Sequence, residues 1–212
     1  MRLTIDDQYQ RMPWDALDAV VFDVGNVLVV FSPEELTAEL FPGDPELGRR
    51  IREHVTSTPY WCMLDHGTLS YEEALTAMTV HAPELREAVS RFLYGWMDLK
   101  HTVPEGIEAL RAVKAHGKKA YIISNYHDGA FRHVEQKYDF FRLFDGKVIS
   151  ARVGLLKPDP AIYQLARRTF GLVPERTLFI DDAPLNVEAA MNLGWQGFCL
   201  NRPGALSRFL QE

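Results

Sequence analysis

The chain has 212 residues, 47% of them apolar and 25% charged, which is enough to bury a substantial core and lies near the upper range for one domain. Its formal charge of -6, with acidic and basic residues mixed along the chain, offers no basic stripe to follow a phosphate backbone, so nucleic acid is not an expected partner. Cys62 and Cys199 are too few for a disulfide framework and too isolated for a metal cluster, and they are expected to be reduced, buried thiols. The longest apolar run, Ala19 to Phe31, is broken by Asp23, Gly25 and Asn26, and the N-terminus lacks the pattern of a signal peptide. No membrane association is expected, and the default location is cytoplasmic.

Residues 1 to 17 are polar and irregular and read as a short extension, with Met12, Pro13 and Trp14 as an anchor. From Ala19 to Val24 the chain is apolar and β-branched up to Asp23, and similar short runs recur at Ala120 to Ile123, Lys147 to Ile149, Thr177 to Ile180 and Gly197 to Leu200. Such runs predict buried strands of a parallel sheet. Between them lie stretches of helical period: Glu105 to His116 closed by Gly117, Asp128 to Tyr138, Pro160 to Phe170 closed by Gly171, and Ala183 to Leu193 closed by Gly194. The alternation predicts a doubly wound, Rossmann-like α/β core made of residues 18–32 and 104–212, whose ligands lie at the carboxyl ends of the strands.

Residues 33–103 break that alternation. They contain several helix starts and no convincing strand: Ser32-Pro33-Glu34-Glu35, Asp44-Pro45-Glu46, Ser70-Tyr71-Glu72-Glu73 and Ala82-Pro83-Glu84. Each pairs a polar or small cap with an acidic first turn, which suits the helix dipole. This segment is expected to form a helical cap inserted after the first strand.

Four segments at or just after strand ends carry residue types that phosphoryl transfer needs. Val20-Val21-Phe22-Asp23-Val24-Gly25-Asn26 delivers a carboxylate into a turn, where it either caps the turn or performs chemistry. Tyr121-Ile122-Ile123-Ser124-Asn125 offers a hydroxyl and an amide. In Gly154-Leu155-Leu156-Lys157-Pro158-Asp159-Pro160, two prolines fix the backbone around a lysine. Leu178-Phe179-Ile180-Asp181-Asp182 ends a strand on two adjacent carboxylates, an arrangement that is costly without a cation; hard oxygen ligands suit magnesium.

In this order the four segments resemble the four motifs of the haloacid-dehalogenase-like hydrolases, and the likeness runs from Ala19 to Leu200. Any one motif is weak, whereas four in register are specific. The resemblance implies a Mg2+-dependent hydrolase of a small phosphorylated substrate, sugar phosphates included. Asp23 would attack phosphorus and form an aspartyl-phosphate. Asp23, the Gly25 carbonyl and Asp182 would hold the metal, with Asp181 direct or through water. Ser124, Asn125 and Lys157 would hold the phosphoryl oxygens, Lys157 also orienting Asp23. The cap segment Tyr60-Trp61 with Leu64-Asp65-His66-Gly67 is similar to one common in capped members; it is either a helix-turn-helix packing Trp61 or a direct substrate contact.

One departure matters. Phosphatases of this family carry a second aspartate, the general acid, two positions after the nucleophile, and here that position is Gly25. Such help is typically worth about a hundred- to ten-thousandfold. Three readings follow: a phosphatase with another proton donor, His127 and His66 being candidates; a carbon–halogen hydrolase, which needs neither the second aspartate nor a metal but has an aromatic residue at the Gly25 position and no Asp181-Asp182 pair; or a non-catalytic binding module.

Overall fold

A computed structural model of the chain describes residues 14–99, 101–202 and 204–210. Five parallel strands, β1 (Ala19–Phe22), β2 (Lys119–Ser124), β3 (Gly146–Ile149), β4 (Thr177–Asp181) and β5 (Gln196–Cys199), form one sheet in the order β3-β2-β1-β4-β5. All four residues of β1 are buried, as a central strand covered on both faces requires. The chain moves outward from β1 to β3 and then returns to place β4 on the other side of β1, so the order reverses between β1 and β4. Phe22 lies opposite both Ile122 and Ile180, a register that brings the residues just beyond β1, β2 and β4 to one edge.

The helices follow from their caps. In chain order they are α1 (Pro33–Leu40), α2 (Pro45–His54), α3 (Pro59–His66), α4 (Tyr71–Thr79), α5 (Arg86–Gly95), α6 (Pro104–Ala115), α7 (Asp128–Lys137), α8 (Ser150–Val153), α9 (Pro160–Phe170), α10 (Pro184–Asn192) and α11 (Ala205–Leu210). Ser32 and Asp44 accept from backbone N–H groups of the first turns of α1 and α2, and Ser70 with Glu73 makes a reciprocal capping box at α4. The expected start at Ala82 is a single 3-10 turn, Pro83–Leu85, that runs into α5. Helices α1 to α5 fall between β1 and β2. The chain entering and leaving them lies side by side, with the Val30 N–H donating to His101 and the Val103 N–H to Leu28.

Alternate residues of the strands feed two cores. Val20, Phe22, Ile122 and Ile180 face the layer that includes the cap, whereas Val21, Ile123 and Phe179 face α9 and α10. Each such side chain contributes roughly 1.5–3 kcal/mol by leaving water. Helix α6 approaches the loop after β1 so closely that a Cβ on Gly106 would sit 1.7 Å from the Val27 carbonyl oxygen, and only glycine fits there.

Several expectations need adjustment. β1 ends at Phe22, because the chain turns at Asp23. Helix α8 and helix α11 were not foreseen: four and six residues are too short to show a period. Cys62 is exposed on α3 rather than buried, and Cys199 is half-buried; both are free thiols. Trp14 stacks on His116 at 4.2 Å, while Met12 and Pro13 lie outside the described residues. No helix among the described residues is long and apolar enough to cross a membrane.

Candidate active site

The reversal of strand order sets the place of the site, because the loops after β1 and β4 diverge there. Asp23 follows β1 directly, is 7% exposed, and its N–H donates to the Ile180 carbonyl at 2.9 Å, which holds it in line with the end of β4. The loop then tightens: the Leu28 and Val29 N–H groups both donate to the Val24 carbonyl. Asn26 takes a left-handed φ of 53°, which its short side chain tolerates. Its amide nitrogen donates to Asp182 Oδ2 at 3.0 Å, and its Oδ1 accepts from the Phe31 N–H at 2.8 Å. One side chain thus links the loop after β1, the loop after β4 and the entry to the cap.

Asp23 Oδ1 is held twice, by the Ser124 hydroxyl at 2.7 Å and by the Lys157 ammonium at 2.8 Å. Oδ2 is the oxygen nearest the open side of Gly25. Lys157 is 4% exposed and also reaches Asp181 Oδ2 at 2.6 Å. Its aim comes from Asn125, whose carboxamide grips the Lys157 backbone from both sides: Nδ2 donates to the carbonyl at 2.9 Å and Oδ1 accepts the N–H at 2.8 Å. Asp159, which caps α9, fixes the chain just beyond. Asp181 has no exposure, and its oxygens accept from Lys157, the Ala183 N–H and Asn186 Nδ2. Asp182 is less buried and turns towards the cavity.

The electrostatics are those of a site short of positive charge. Carboxylate oxygens of Asp23, Asp181 and Asp182 all lie within 4.8 Å of one another. Burial pushes the Asp23 carboxyl up to about 6 against the pull of Lys157, and Asp181 adds to the rise. Burial also raises Asp182, with Asn26 opposing. Three carboxylates facing one ammonium form a hard-oxygen donor set that fits a divalent cation.

A cavity of about 200 Å³ opens above this floor. Asp23, Gly25, Asn26, Asn125 and Asp182 form its base, and Phe31, Trp61, Trp96 and Tyr126 form aromatic walls. Asp65 and His127 complete the lining, with His127 Nε2 3.3 Å from Asp65 Oδ1 and the His127 and Trp61 rings packed in a T-shaped arrangement with centroids 4.4 Å apart. None of these lining residues is a lysine or arginine.

The structure therefore gathers Asp23, Gly25, Ser124, Asn125, Lys157, Asp181 and Asp182 at one edge of the sheet. Of the two histidines considered as proton donors, His127 lines the cavity, and His66 is not among the lining residues. Sequence reasoning missed Asn26, Asn186 and the aromatic walls other than Trp61, which was weighed as a substrate contact and does line the cavity. Asn26 carried a signal, since an asparagine after glycine in a tight turn is the residue suited to left-handed backbone. Asn186 sits in the first turn of α10, where a side chain can reach back to the preceding strand end.

Fold and site together define an α/β enzyme with a carboxylate-rich crevice at the topological switch point. The comparisons make this specific. The profile of the haloacid dehalogenase-like hydrolase family matches residues 17–194, and the chain belongs to that family of hydrolases. It is 26% identical over 199 residues to (S)-2-haloacid dehalogenase 4A of Burkholderia cepacia, covering 90% of this chain and 85% of that one. It is 27% identical over 206 residues to the mouse (Mus musculus) acyl-CoA dehydrogenase family member 10, of which it spans only 18% while 87% of this chain is covered. Among solved structures, a HAD family enzyme of Bacteroides thetaiotaomicron in complex with magnesium and inorganic phosphate has the same fold, with a TM-score of 0.70 at 18% identity over 86% of this chain and 93% of that one.

Proposed function

We propose that the chain is a magnesium-dependent hydrolase of small phosphate monoesters, sugar phosphates among them, and that it works through an aspartyl-phosphate on Asp23. One observation carries this: Asp23, Asp181 and Asp182 crowd within 4.8 Å, and among the described residues Lys157 is the one cation in contact with them. A phosphate dianion cannot approach such a site unless further positive charge accompanies it. Asp23, Asp182 and the Gly25 carbonyl would hold the ion, with Asp181 supporting Lys157 behind them. Bound there, magnesium supplies charge neutralisation for the phosphoryl oxygens.

The chain's own residues do the positioning. Ser124 and Lys157 fix Oδ1 of Asp23, which orients the carboxylate towards phosphorus. The Lys157 ammonium, kept protonated between two carboxylates, offsets charge that builds on the transferring group. Ser124 and Asn125 would contact the phosphoryl oxygens from the end of β2, while the Asn125 carboxamide keeps the lysine loop in place.

A second reading, carbon–halogen hydrolysis, is favoured by the named activity of the Burkholderia relative and by the aromatic cavity walls. The test is turnover of p-nitrophenyl phosphate and a panel of sugar, nucleotide and amino-acid phosphates, with magnesium and with EDTA, alongside halide release from 2-chloropropionate. Metal-dependent phosphate release is expected. Halide release insensitive to EDTA would replace this reading with the second.

A further inference from the structure

The family's usual proton donor would stand at Gly25, and nothing in the loop after β1 replaces it. Gly25 has no left-handed φ, and the space a Cβ would take is open, its nearest neighbour being Asp23 Oδ2 at 3.9 Å. The loop has simply left that side of the nucleophile bare. The cavity on that side is also lined by a carboxyl group from the helices between β1 and β2, that of Asp65.

We propose that Asp65, on α3 of the cap, is the general acid and base of the phosphatase reaction, in place of the aspartate that Gly25 omits. The assignment rests on the phosphatase reading above. Asp65 lines the same cavity as Asp23 and Asp182, and its side chain is 16% exposed. Its backbone is pinned to the core. The Ser150 hydroxyl donates to the Asp65 carbonyl, and the Tyr126 N–H donates to Ser150 Oγ at 2.9 Å. Two residues on, Gly67 takes a φ of 81° and passes so close to α8 that a Cβ would lie 2.4 Å from the Ala151 carbonyl oxygen. Cap and core therefore meet without slack at this point, and Asp65 is held at the wall of the cavity.

The surroundings suit a carboxyl that must carry a proton. Trp61 and Trp96 line the cavity beside it, and His127 lies next to Asp65 with the Tyr71 hydroxyl on its far nitrogen at 3.3 Å. Burial raises the Asp65 carboxyl to about 7, with the charge of Asp23 adding to the rise and Lys157 opposing it. The chemistry then balances. As Asp23 bonds to phosphorus and the ester P–O bond breaks, the proton of Asp65 passes to the leaving oxygen and an alcohol departs. Asp65, now ionised, takes a proton from water while the water oxygen bonds to phosphorus. The Asp23–phosphorus bond breaks, inorganic phosphate leaves, and Asp65 is protonated again.

The test compares Asp65→Asn with the wild type on an alkyl phosphate and on p-nitrophenyl phosphate under saturating magnesium. The variant should lose about a hundredfold or more on the alkyl ester. On p-nitrophenyl phosphate, whose leaving group needs no proton, it should release one equivalent of nitrophenolate in a burst and then stall, because the second step lacks its base. Gly25→Asp in the Asp65→Asn background should restore alkyl turnover at least tenfold, which also shows that the variant is folded. Equal losses on both esters, with no burst and no rescue, would overturn the assignment while leaving the phosphatase reading intact. A wild type inactive on every phosphate ester would overturn both.

Discussion

The two ends of the one parallel sheet use aspartate in opposite ways. At the amino end, Asp145 accepts from Lys114 at 2.7 Å, from Lys119 at 2.9 Å and from the Ala120 N–H at 2.9 Å, and Asp18 is clasped by the Arg176 guanidinium at 2.6 and 2.7 Å. Hydrogen bonding to Arg176 holds Asp18 below its ordinary range. Asp145, although partial burial works against it, is held down to about 2 by Lys114, the Ala120 N–H and Lys119. At the carboxyl end, Asp23, Asp65 and Asp182 are all pushed up, chiefly by burial, with Lys157 the shared ammonium. The same side chain is a satisfied staple at one end and a group short of charge at the other. Carboxyl groups raised in this way cluster at functional sites.

The contrast breaks hardest at Asp23, the proposed nucleophile. Asp23→Asn should lower turnover by roughly a thousandfold or more, since an amide keeps the shape but cannot attack phosphorus. Its unfolding midpoint should stay close to the wild type, because Lys157 keeps Asp181 as a partner. Activity within tenfold of the wild type would remove Asp23 from the role.

The smaller effect lies at the other end and concerns stability rather than rate. Because the Asp145 carboxyl titrates lower in the folded chain than its ordinary value of 3.8, its stabilisation is complete above pH 4 and is lost as pH falls towards about 2. Asp145→Asn should therefore cost about 2 kcal/mol at neutral pH, with turnover per folded molecule unchanged. In denaturant titrations the gap to the wild type should close on acidification. A gap that is constant with pH would show that packing, not charge, holds that end.

Much of this was legible in the sequence, for physical reasons that differ by element. Central strands such as β1 and β4 are buried on both faces, so they read as continuous apolar runs that end on the residues of interest. The caps of α1, α2 and α4 were legible because Ser32, Asp44 and Ser70 carry their hydrogen bonds locally. Asp65 was visible only as part of a cap motif, since its meaning depends on Ser150 and Gly67 bringing α3 against α8, a contact between segments about 85 residues apart. The reach of Asn26 to Asp182 spans 156 positions and has no local signature beyond the turn itself. Cys62 misled because the apolar run Tyr60 to Leu64 buries Leu64, while the cysteine falls on the outer face of α3.

The central claim is that the carboxyl end lacks positive charge that a divalent ion supplies, and it can be measured without knowing the substrate. The measurement is the thermal unfolding midpoint of the wild type and of Asp181→Asn and Asp182→Asn against magnesium concentration at neutral pH, since an ion that binds only the folded chain raises its stability by mass action. The account predicts a midpoint that climbs with magnesium in the wild type and is flattened more by Asp182→Asn than by Asp181→Asn. A wild-type midpoint indifferent to magnesium would contradict it.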